Sequence, residues 1–113
     1  MLRRDLNVLD AAQRAADQVN QLIDRPARRR LINPSQLQRS VHSIAANIAE
    51  GFGRGTGKDR SRILKIARGE AEETMQHLSA NFRATRISAT EYWALRNLLA
   101  VIVKMLNALV RDG

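Results

Sequence analysis

Apolar residues recur along this chain at alternating spacings of three and four, the period of a helix that buries one face. Leu9, Ala12, Ala16, Val19 and Ile23 follow it and predict a helix over 5–23, ended by Pro26. Asn33 before Pro34 reads as an N-cap with proline at the first helical position. The helix it opens carries Leu37, Val41, Ile44, Ile48 and Phe52 on one face and stops at GFGRGTG, where four glycines fall in the seven residues 51–57. A third helix is predicted from near Lys58 to about Arg83, with Leu64, Ala67, Ala71, Met75, Leu78 and Phe82 inward. Gly69 inside it either lets another helix approach closely or is tolerated at about 1 kcal/mol relative to Ala. Ser88-Ala89-Thr90-Glu91 is a capping box that opens a fourth helix, whose stripe is Tyr92, Leu95, Leu99, Ile102, Leu106 and Leu109. No segment alternates with period two, and the loops are short. The pattern predicts an all-α protein, one antiparallel up-down-up-down four-helix bundle over 1–113.

The fourth helix has an apolar surplus. Trp93, Leu98, Val101, Val103, Met105 and Val110 lie off its main stripe, which makes it apolar almost all round. Such a helix is buried on more than one side. In so small a protein the second face is expected to meet another subunit, with Trp93, Leu98, Val101 and Met105 as interface candidates; a wider internal core is the alternative.

Length and composition narrow the class. The 113 residues suffice for one core. With no Cys there is no disulfide or thiolate site, and a reducing cytoplasm is the expected compartment. The start MLRRDLNVLD lacks the apolar run of a signal peptide. The run Leu98–Val110, broken by Lys104 and Asn107, reads as too short to span a bilayer, so no membrane partner is expected.

Net charge is +8, and Arg supplies 16 of the 19 basic residues, which points to an acidic partner, nucleic acid first. The guanidinium fork donates two parallel hydrogen bonds to a phosphate. A merely solvated surface, in a genome that favours Arg codons, is the bland alternative. Candidate nucleic-acid residues fall in two groups: Arg28, Arg29 and Arg30 in the first linker, and Arg54, Lys58, Arg60, Arg62 and Lys65 around the glycine-rich loop and the third helix start, with Arg68 beyond. In an up-down-up-down bundle those groups belong to opposite ends.

Catalytic and cofactor signatures are missing from the sequence. In GFGRGTGKD, Phe52 stands where a phosphate loop needs its first glycine and Asp59 where it needs a hydroxyl; Thr56 breaks the dinucleotide fingerprint. A di-iron bundle site needs Glu-x-x-His on two helices, whereas His77 follows Glu73 by four. No Ser, His and Asp order suggests a triad. The expectation is no enzyme, no metal and no cofactor. Four aromatics are too few for the base stacking of sheet-based RNA modules, so any RNA contact is expected to be mostly to backbone and strongly salt-dependent.

One block is specific. Ser43-Ile44-Ala45-Ala46-Asn47-Ile48-Ala49-Glu50-Gly51, followed by Arg54, resembles the SIPANIAEGxGR signature of the four-helix bundle proteins named for 23S ribosomal RNA intervening sequences. Support comes from Asp5-Leu6, Gln36-Leu37, Arg39, Ile66-Ala67-Arg68-Gly69, Glu73 and Lys104-Met105-Leu106-Asn107-Ala108-Leu109. Leu9 replaces a usual tryptophan, Ala45 a usual proline and Glu70 a usual serine, and His42 stands where a small or apolar residue is common. The resemblance implies a homopentameric ring without enzymatic activity, and relatives that bind template RNA and a reverse transcriptase. It marks Asn47, Glu50, Gly51 and Arg54 as signature residues. Asn47 and Glu50, set close to the apolar stripe, are expected either to satisfy backbone or Arg groups near the turn, Arg39 or Arg54 among them, or to shape a basic surface. Binding of RNA through Arg-rich surfaces is the leading expectation, and an oligomeric scaffold for a protein partner the alternative.

Overall fold

The computed structural model describes residues 2–26 and 30–112, with Arg111 and Asp112 described by backbone only. Its helices are α1 Arg3–Ile23, α2 Pro34–Gly53, α3 Lys58–Arg83 and α4 Ala89–Asp112. Packing joins α1 to α2, α2 to α3, α3 to α4 and α4 back to α1, with no diagonal pair among the described residues. The helices therefore stand in chain order around one core, an up-down-up-down bundle measuring 46 × 21 × 19 Å.

The predicted stripes of α2 and α4 are the buried ones: Leu37, Val41, Ile44 and Ile48 on α2, and Tyr92, Leu95, Leu99, Ile102, Leu106 and Leu109 on α4. Phe52 at the end of α2 is half-buried. On α1 the buried face is Val8, Ala11, Ala12, Ala15, Ala16, Val19 and Leu22, with Leu9 and Ile23 only half-buried. The expected face was turned too far because alanines at 11 and 15 weigh little in an apolar pattern, yet both are buried in the core. On α3 the buried set includes Thr74 and Asn81, while Met75 and Phe82 sit at the rim.

Both buried polar residues have partners, as burial demands. Thr74 Oγ1 lies 2.8 Å from Ser40 Oγ on α2 and 2.8 Å from the Glu70 carbonyl oxygen, and Ser40 donates to Leu37 O at 3.1 Å. Asn81 clamps the linker after α1: Ile32 N–H donates to its Oδ1 at 2.7 Å, and its Nδ2 faces Ile32 O at 3.2 Å and His77 O at 2.8 Å. The next residues are placed as expected, Asn33 as the N-cap of α2 and Pro34 as its first helical residue. Asn33 precedes α2 in a left-handed conformation (φ 48°) with no side-chain cap, its carbonyl accepting from Leu37 N–H at 3.1 Å. The box at α4 forms as expected, Glu91 N–H donating to Ser88 Oγ at 3.1 Å and Ser88 N–H to Glu91 Oε1 at 2.8 Å. Arg25 extends it, donating to Glu91 Oε2 and, at 2.7 Å, to Arg86 O, which ties the end of α1 to the start of α4.

The bilayer reading of α4 needs correction. The helix begins well before Leu98, and Ala89–Val110 is long and apolar enough to cross a membrane. Its six core positions pack within the bundle, and Arg96, Asn97, Lys104 and Asn107 share the remaining sides with Trp93, Leu98, Val101 and Met105. Only 28% of its most apolar stretch is buried in the protomer, so the surplus points outward.

The glycines divide by surroundings. A Cβ at Gly51 would stand 2.8 Å from Leu64 Cδ2 and 3.2 Å from its Cγ, so α2 and α3 cross there at glycine distance. A Cβ at Gly69 meets nothing within 4 Å, which leaves tolerance rather than close approach within the protomer. Gly69→Ala is therefore expected to raise stability by about 0.5–1 kcal/mol. Gly51→Ala should lose that gain to overpacking worth about 1–3 kcal/mol. Urea midpoints of the two variants check the contrast.

Candidate nucleic-acid interface

Cation by cation, the expected basic surface separates into paired and free groups. Most pairing lies along the seam between α2 and α3. Arg39 donates to both carboxylate oxygens of Glu73, at 2.8 and 2.9 Å, and to Glu70 at 3.3 Å. Arg54 donates to Glu50 at 2.9 Å and to Asp59 at 3.3 Å, and Arg62 to Asp59 at 3.0 Å. The bond to Glu73 raises Arg39 above its ordinary pKa, and the bond to Glu50 does the same for Arg54. The Arg62 hydrogen bond, with Arg54 adding, lowers Asp59, and Arg39 lowers Glu73. Near the start of α1, Arg60 lies 3.6 Å from the buried carboxylate of Asp5 and 5.1 Å above the Phe52 ring. Its side chain is only 12% exposed, so Arg60 belongs to the packing of that end and not to the open surface.

Glu50 meets Arg54, one of the two partners expected, while Arg39 turns to α3 instead. Asn47 donates to Ser43 O at 2.8 Å and lies 2.9 Å from Ser43 Oγ. Neither residue intrudes on the core: Asn47 is half-buried and Glu50 exposed, because the apolar stripe runs through Ile44 and Ile48 alone. Gly51 is the signature residue with a packing role, set against Leu64.

Lys58 and Lys65 have no carboxylate partner among the described residues. With Ser61, Arg62 and Val110 they line an open groove of about 500 Å³ between α3 and the end of α4. Arg68 continues this side of α3, donating to Asn107 of α4 at 2.8 Å, and Arg96 of α4 reaches back to Met75 of α3. Lys104 is exposed one turn from Asn107. Sequence reasoning missed Arg96 and Lys104 because they lie far from the basic clusters in the chain. Arg28 and Arg29 lie outside the described residues; Arg30 is exposed, as are Arg83 and Arg86 of the α3–α4 turn. Among the described residues no group of His, Cys, Asp or Glu is placed to hold a metal ion.

The four residues expected at a subunit interface do not share one face. At 100° per residue, Leu98, Val101 and Met105 fall within about 60° of one another, whereas Trp93 is at least about 80° away from each. Val101 is 46% and Trp93 51% exposed, while Leu98 and Met105 are half-buried. Arg96 and Asn107, which bond to α3, mark Trp93's side as the α3 side; Ala94, lining a groove with Gln18 and Leu22 of α1, marks the side of Leu98 and Met105. A second apolar patch, not anticipated, is Leu2 and Leu6 at the start of α1, 63% and 54% exposed.

Burial pushes the Glu91 carboxyl up, but the Ser88 backbone N–H and Arg25 override it and hold the group below its ordinary value. A carboxylate depressed in the fold adds stability above its unfolded pKa of about 4.3, and loses it as pH falls through the folded value. Urea midpoints should therefore drop below about pH 4, and drop less in Glu91→Gln, whose stability at neutral pH is already reduced. Glu50→Gln, at an exposed pair within one helix, should change stability by no more than about 0.5 kcal/mol.

The family model described as 23S rRNA-intervening sequence protein matches residues 4–108. A crystal structure of a protein of unknown function from the S23 ribosomal protein family of Bacteroides thetaiotaomicron VPI-5482 superposes with a TM-score of 0.86 at 27% identity, covering 96% of this chain and 98% of that one. No functionally curated protein matches this sequence. With a match that takes in all four helices, the chain belongs to the 23S rRNA-intervening sequence protein family.

Proposed function

We propose that this protein is a non-enzymatic, oligomeric bundle that binds nucleic acid, RNA foremost, through its uncompensated cations. The supporting observation is the uneven distribution of charge. Glu50, Asp59, Glu70 and Glu73 gather on the α2–α3 seam beside their arginines, while Lys58, Lys65, Arg96 and Lys104 have no carboxylate partner among the described residues. A polyanion gains most where cations are not already neutralised. Assembly rests on two separate apolar patches, Leu98 with Val101 and Met105 on α4, and Leu2 with Leu6 on α1. Two unlike patches on one protomer suit a head-to-tail contact, which closes into a ring when the rotation allows. The homopentamer implied by the signature is a ring of that kind. An oligomeric scaffold for a protein such as a reverse transcriptase is favoured by the same apolar surface, and is the second reading.

A gel-shift titration of RNA over a salt series decides between them. Affinity falling steeply as salt rises is expected for backbone binding; no shift at low salt would overturn it and leave the scaffold. Val101→Glu should reduce the solution mass towards the 12.7 kDa protomer. A wild-type protein already at that mass would end the ring.

A further inference from the structure

The α3–α4 seam differs from the other three in what it presents to solvent. The α2–α3 seam is zipped by ion pairs, the α1–α2 seam carries Asn20 against Gln38 and His42, and the α1–α4 groove is lined by Gln18, Gln21, Thr90, Ala94 and the Arg25-paired Glu91. Along α3–α4 the described cations are Lys58, Arg62, Lys65, Arg68, Arg96 and Lys104; Arg62 is paired with Asp59, and the exposed Glu72 follows Arg68 by one turn. Arg68 and Arg96 touch neutral groups, the Asn107 amide and the Met75 sulfur, so their charge stays available.

The seam also ends on an aromatic ring. On α4 the residues Trp93, Arg96, Ala100, Lys104 and Asn107 succeed one another at spacings of three and four, which makes them one stripe. Trp93 closes it at the far end from Lys58. Trp93 is 51% exposed, and its ring stands edge-on, 5.0 Å between centroids, against Tyr92, which in turn stacks on Phe82 of α3 at 4.4 Å. Trp93 is thus braced from behind with its outer part open. At 1.5 Å per residue, Lys58 to Arg68 spans about 15 Å, and Asn107 back to Trp93 about 21 Å more, so the track follows most of the 46 Å bundle.

We infer that this seam is a binding track for a single-stranded polynucleotide, with phosphates on Lys58, Lys65, Arg68 and Lys104 and one base stacked on Trp93. The inference rests on the nucleic-acid reading above and deepens it by choosing strand and surface. A cationic groove that follows the backbone, with an aromatic face for bases, is the arrangement sequence-tolerant single-strand binders use. A duplex keeps its bases stacked inside and leaves an exposed indole nothing to accept. Trp93 then faces nucleic acid and not a neighbouring subunit, which leaves Leu98, Val101 and Met105 for assembly.

Trp93 is the only tryptophan in the chain, so its fluorescence reports this site alone. The probe is an RNA of about ten nucleotides without self-complementarity, its binding followed by anisotropy and by tryptophan emission in parallel. The inference expects quenching that saturates with the anisotropy, binding about tenfold weaker in Trp93→Ala, and near-wild-type binding in Trp93→Phe. In Lys58→Ala/Lys65→Ala the log–log salt slope should become shallower by about 1.4. Binding without quenching, equal affinity for a matched duplex, or an unaltered slope in the lysine variant overturns the track while leaving nucleic-acid binding itself standing. Absence of any binding at low salt overturns both. The wild-type fluorescence keeps the test decisive should Trp93→Ala fail to fold.

Discussion

Four of the eleven carboxylates, Glu50, Asp59, Glu70 and Glu73, gather along the α2–α3 seam, and much of the surface chemistry follows from that grouping. Where α2 crosses α3, Gly51 admits Leu64, and Thr74 meets Ser40 inside the core. Outside that contact Arg39 fastens to Glu70 and Glu73, and Arg54 bridges Glu50 and Asp59 around the loop. Exposed ion pairs of this kind contribute little each to stability. Their consequence is electrostatic: they neutralise the α2–α3 side of a protein whose net charge is +8, so the excess lies elsewhere on the surface.

Much of the fold was legible. The stripes of α2 and α4, the span of α3 and the Ser88–Glu91 box are local patterns, set by helical period and capping chemistry. What could not be read depends on contacts between distant residues. Asn81 reaches across 49 positions to hold Ile32, and Arg25 across 66 to Glu91. No spacing rule announces either. Alanine-lined α1 misled for a different reason, since its small residues are buried in the core without dominating its apolar pattern.

The basic surface was legible as composition and only partly as place. Clusters in the chain drew attention to Arg54, Arg60 and Arg62, whose charges the fold engages with Glu50, Asp5 and Asp59. Lys104 and Arg96, isolated in sequence, join Lys58, Lys65 and Arg68 only because α4 runs antiparallel to α3. Helix four shows the same division on its apolar side: one sequence surplus becomes Leu98, Val101 and Met105 towards α1, and Trp93 towards α3. The core stripe of α4 and its two outward stripes thus stay separate around one helix.

The most direct test of this charge separation is a backbone amide NMR map of the isotopically labelled protein during titration with single-stranded RNA. A cationic track on the α3–α4 seam predicts shifts concentrated at Lys58–Arg68 on α3 and Trp93–Asn107 on α4, with Arg39 and Arg54 quiet. Shifts centred on the ion-paired residues of the α2–α3 seam, or on Arg83 and Arg86 at the far turn, would contradict it.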